Sequence, residues 1–63
     1  VKRYETTPDT IGRYRALSPM DLEGALYVDT DSCVYDTDPP SRVLAACAVA
    51  TEITAEELAD LNA

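Results

Sequence analysis

The chain has 63 residues, room for one domain, with twelve acidic against five basic residues and a formal net charge of −7. That charge opposes any role that neutralises a phosphate backbone, so direct binding to DNA, RNA or an anionic membrane face is not expected, whereas a basic protein partner suits it. With no His, Phe or Trp, the commonest general base and zinc ligand are missing, and the interior falls to Leu, Val, Ile, Ala and Tyr.

Taken in chain order, residues 2–6 suit a strand, followed by a turn at Pro8-Asp9. Residues 13–17 alternate, with Tyr14 and Ala16 opposite Arg13 and Arg15, and predict a second strand. Ser18 then reads as the N-cap of a helix, with Pro19 as first helical residue, Asp21 at N3, and Leu17 and Leu22 at the two staple positions. Gly24 stands where a C-terminal cap belongs, so this helix spans about two turns. Residues 25–29 and 33–36 carry the Tyr and Val of strands, and Thr30-Asp31-Ser32 makes residues 25–36 a hairpin.

The segment Asp38-Pro39-Pro40-Ser41 leads into residues 42–51, where Val43, Leu44, Cys47 and Ala50 recur at helical spacing. Ala45, Ala46, Ala48 and Val49 leave this expected helix a weak polar face. It is therefore covered on more than one side, as the central helix or against another chain, and Val43, Leu44 and Cys47 are candidate partner-binding residues. Thr54 with Glu57 three residues on is a capping box, flanked by Ile53 and Leu58, and opens a terminal helix with Leu58 and Leu61 on one face.

These elements predict a small single α+β domain over residues 1–63, a short antiparallel sheet or hairpin packed on two to three short helices. No apolar run approaches the ~20 residues of a membrane span, and no secretory leader is visible, so a cytoplasmic protein is expected. A core of this size rarely supplies more than ~3–5 kcal/mol, which gives a staple or a partner something to add. Cys33 and Cys47 match neither a zinc site nor a redox motif in spacing; they read either as buried thiols acting as small hydrophobes or as a disulfide closing a loop of ~15 residues.

The most conspicuous pattern is a doubled Asp-Thr-Asp, Asp29-Thr30-Asp31 and Asp36-Thr37-Asp38. In a hairpin the two pairs would approach, and four neighbouring carboxylates repel unless a cation or a basic partner neutralises them. An EF-hand loop is excluded by spacing, because the sixth position from Asp29 is Val34 and the twelfth is Pro40. Residues 27–32, Tyr27-Val28-Asp29-Thr30-Asp31-Ser32, resemble the Tyr-x-Asp-Thr-Asp-Ser signature of family B DNA polymerases, which would make Asp29 and Asp31 magnesium ligands. The likeness covers six residues, and the length cannot hold the distant aspartate strand and fingers helix of a polymerase. No metal, cofactor or catalytic residue is therefore expected. Neither Ser nor Cys has an evident base beside it, and Gly12 and Gly24, the only glycines, cannot build a phosphate loop.

The function expected is that of a non-catalytic protein–protein interaction module, a regulator or accessory subunit of a larger assembly. Its partner would be another protein or a second copy, met through the acidic patch Asp29, Asp31, Asp36 and Asp38 or through the apolar helix. The alternative is an acidic nucleic-acid mimic that adds Glu56, Glu57 and Asp60 to that patch and inhibits a DNA- or RNA-binding protein.

Overall fold

The computed structural model describes residues 1–47 and 49–63. Its elements are β1 (Lys2–Glu5), α1 (Ile11–Arg15), β2 (Tyr27–Asp29), β3 (Ser32–Tyr35), α2 (Ser41–Ala46), β4 (Val49–Glu52) and α3 (Ala55–Leu61). All strand pairings are antiparallel, in the order β2-β3-β1-β4, so the first strand lies inside the sheet while β2 and β4 form its edges. One such sheet with three short helices is an α+β domain, as the sequence pattern predicts.

Strand periodicity decides which residues meet. Tyr4 is in register with Cys33, and Tyr35, two residues on, shares their face. Against that face α1 sets Tyr14, and α2 sets Val43 and Ala46; with Cys47 they make the core cluster, edged by Ile11, Leu17, Leu22 and Ala25. The Tyr4 and Tyr35 rings meet edge to face, centroids 6.3 Å apart and planes at 76°, an arrangement worth ~0.5–1.5 kcal/mol beyond burial. Val34 is fully buried on the opposite face, in register with Arg3.

Three expectations are corrected. Residues 13–17 are not a strand: α1 occupies most of them, and Tyr14 is its buried residue. The turn at Pro8-Asp9 leads directly into it, because the amides of Thr10 and Ile11 both donate to the Thr7 carbonyl at 3.0 and 2.9 Å. The Thr7 amide donates in turn to Thr10 Oγ1 at 2.7 Å. Five alternating residues cannot distinguish a strand from one and a half helical turns, and this threonine-primed start decides for the helix.

Residues 18–24 form successive turns rather than an α-helix. The cap contacts are nevertheless made: the Ser18 amide donates to Asp21 Oδ2 at 2.9 Å, and the Asp21 amide to Ser18 Oγ at 3.4 Å. The backbone bonds that follow span three residues, Asp21 to Ser18, Glu23 to Met20 and Ala25 to Leu22. Gly24, at φ +87°, then takes a left-handed conformation that a side chain would disfavour.

The helix expected over residues 42–51 ends at Ala46. Cys47 is already extended, at φ −115° and ψ 122°, and residues from Val49 onward belong to β4. Ala48, part of the expected helix, lies outside the described residues. Val49, Thr51 and Ile53 are β-branched at alternate positions, and pairing along the free side of β1 outweighs the helical spacing of Cys47 and Ala50. The terminal helix is as expected, with both arms of the Thr54–Glu57 capping box present.

Candidate functional site: an open sheet edge

The doubled Asp-Thr-Asp does not form one patch. Asp29 and Asp31 sit at the β2–β3 turn, while Asp36 and Asp38 follow the far end of β3. The four intervening strand residues rise ~3.3 Å each and hold the pairs apart. The Asp29 carboxylate is used locally, its Oδ1 accepting from the Thr30 amide at 2.6 Å. Behind the same turn the Tyr14 hydroxyl lies 2.7 Å from the Ser32 carbonyl and 2.8 Å from that of Asp29, fastening the hairpin to α1. Among the described residues no three acidic or cysteine side chains converge as a metal site.

The far pair has different neighbours. Register places Lys2, Tyr35 and Glu52 side by side across three strands. Together with Tyr4, Asp36 and Asp38 they line an open cavity of about 360 Å³. Lys2 Nζ is 3.9 Å from Glu52 Oε1, so the one lysine offsets part of a three-carboxylate rim. On the opposite face a second hollow of about 280 Å³ lies between Arg3, Ile53 and the Glu57, Asp60 and Leu61 side of α3. Arg3 Nη2 donates to Ser32 Oγ at 3.0 Å, and its Nε stands 3.3 Å from Glu5 Oε1.

Of the apolar residues expected to dock a partner, Val43 and Cys47 are committed to the chain's own core. Leu44 alone is exposed, at 48%. Their spacing was a helical core stripe, and the interior of this chain uses it.

The edge strand β4 is different: all four of its residues are exposed. The direction of its backbone groups follows from register. Ile53 donates its amide to the Val1 carbonyl at 3.1 Å, one step beyond the pair Lys2–Glu52. Antiparallel pairs alternate between bonded and non-bonded, so Arg3–Thr51 and Glu5–Val49 are the bonded pairs of this ladder. The amide from Thr6 to the Asp31 carbonyl, 3.0 Å, fixes the complementary phase between β1 and β3. It follows that Ala50 and Glu52 point their N–H and C=O groups away from the sheet, along its free edge. The sequence signal for this strand was the alternation of Val49, Thr51 and Ile53, which the neighbouring alanines obscured.

The titratable core groups carry no activated nucleophile. Burial pushes the Cys33 thiol up from 9.0 to about 12, with further contributions from Cys47. Burial likewise raises Cys47, Tyr14 and Tyr35. A thiol held protonated is a poor attacking group. Asp21 moves the other way, lowered chiefly by the Ser18 amide that donates to it and further by Arg42, whose Nη1 is 3.8 Å away. What the geometry offers is a strand paired on one side only, its outer edge open and acidic groups near one end. Comparison with protein-family models, with curated proteins and with solved structures finds no match.

Proposed function

We propose that the protein is a non-catalytic interaction module that takes up an extended, basic segment of another protein as an additional strand along β4. The single observation that carries this reading is the free edge: Val49 to Glu52 are all exposed, and the outward groups of Ala50 and Glu52 are a template for strand addition. Such docking draws affinity from main-chain bonds and specificity from alternate side chains. Here Glu52 stands at one end of the edge, with Asp36 and Asp38 beside the same cavity, so basic side chains on the incoming strand would find partners. The net charge of −7 favours such a segment and opposes a second copy of the chain. A nucleic-acid mimic calls for a continuous acidic track, and the separation of the two aspartate pairs by β3 weighs for the strand edge instead.

Ala50→Pro tests the reading, because proline removes an outward donor and leaves the bonded Arg3–Thr51 and Glu5–Val49 pairs in place. Tagged protein is used to capture partners from cells that make it. The expected result is a specific partner held by the unaltered chain and lost by a folded Ala50→Pro variant. Equal capture by both, with circular dichroism showing the same fold, would overturn the proposal.

A further inference from the structure

The two cysteines are free and buried, and both belong to the one core cluster. Cys33 comes from the middle of β3 and is wholly enclosed, whereas Cys47 terminates α2 and retains 8% exposure. The consecutive elements β3 and α2 thus bring the two thiols together in that cluster, side chain to side chain. Nothing in the proposed docking edge uses either sulfur.

We infer that Cys33 and Cys47 are a redox-responsive staple, a dithiol that a low-molecular-weight disulfide such as oxidised glutathione converts into an intramolecular disulfide joining β3 to the end of α2. Cys47, the less enclosed of the two residues, attacks first. Its sulfur, having given up its proton, bonds to one sulfur of the small disulfide; that S–S bond breaks and the first thiolate leaves, taking up a proton. The Cys33 sulfur, deprotonated in its turn, then displaces the second small thiolate from Cys47. The protein loses two protons and two electrons, and the small disulfide is reduced to two thiols. Burial keeps both thiols protonated, so the exchange is slow at neutral pH and quickens in alkali. Once formed, the bond closes a loop of ~15 residues that contains Asp36, Asp38 and all of α2, restricting the unfolded chain in a domain with a small core.

The experiment equilibrates the folded chain in glutathione buffers of graded redox poise and reads three quantities: intact mass, the peptides linked on non-reducing digestion, and Tm. Expected are a loss of two hydrogens, a linked pair of peptides carrying residues 33 and 47, and a Tm raised by on the order of 10 °C. Dithiothreitol should return all three. Cys47→Ser should abolish the linkage and the Tm increment while its reduced form melts as a folded protein. Should that variant fail to fold, Cys33→Ala serves the same comparison. Two thiols still free in the most oxidising buffer, glutathione adducts without the internal bond, or only intermolecular dimers would overturn the inference.

Discussion

The two faces of the sheet are built to different standards. On one, Tyr4, Cys33 and Tyr35 meet Tyr14 from α1 and Val43 and Ala46 from α2, and nearly every side chain in contact is buried. On the other, Val34 and Ser32 of β3 are enclosed, but α3 has no buried residue of its own: Leu58 and Leu61 are only partly covered, and Leu61 lines the hollow beside Arg3. The β4 edge beside it is exposed throughout. Most of the enclosed side chains therefore lie on one face, and the other keeps an open edge. Changes on the packed face should be felt globally, and changes on the open face locally.

Raising pH acts on the packed face at several groups together and should have the largest effect. Cys33 titrates at about 12 when folded against 9.0 in the open chain, and Cys47, Tyr14 and Tyr35 are raised as well. Groups with a raised folded value stabilise fully below the unfolded value and lose that contribution as pH rises through the folded one. Tm followed across the alkaline range should therefore begin to fall near pH 9 and keep falling toward 12. A flat profile over that span would show that these groups are not enclosed.

Val43→Ala empties part of the same core, and chemical denaturation should report a loss of about 2 kcal/mol, roughly half of what so small a core supplies. Tyr14→Phe keeps the ring but withdraws the hydroxyl from the Ser32 and Asp29 carbonyls. The expected cost is about 1–2 kcal/mol, with amide shifts confined to α1 and the β2–β3 turn in NMR spectra. The smallest global effect belongs to the open face. Thr54→Ala removes the α3 cap and should fray that helix by about 1 kcal/mol locally. Since α3 has no buried residue of its own, global Tm should move by less than roughly 3 °C. A large drop would mean that α3 shares the core after all.

The same asymmetry explains what was legible in the sequence. Thr54 with Glu57 and Ser18 with Asp21 are equivalent cap signals, and both sets of cap bonds form. Only the first is followed by a helix, because seven helical residues without Gly follow it, whereas Gly24, at φ +87°, closes the second directly after Glu23. Local capping chemistry is thus readable, but it does not guarantee propagation. The hairpin at residues 25–36 was legible because its turn and its β-branched and aromatic flanks agree. Residues 49–52 were not, since alanines fit a helix or a strand and the outcome rests on the free side of β1, a contact across more than forty residues. The aspartates were conspicuous, yet only topology could show that β3 keeps them apart.

That the β4 edge stands open is the claim on which the functional reading rests, and amide hydrogen exchange at residues 49–52 of the isolated protein tests it directly. The Thr51 amide, bonded to β1, should exchange slowly, while those of Ala50 and Glu52 should exchange at rates near those of an unstructured chain. Equal protection at all three would mean that the edge is already covered, and equally fast exchange would mean that β4 is not held in the sheet; either result would contradict the account.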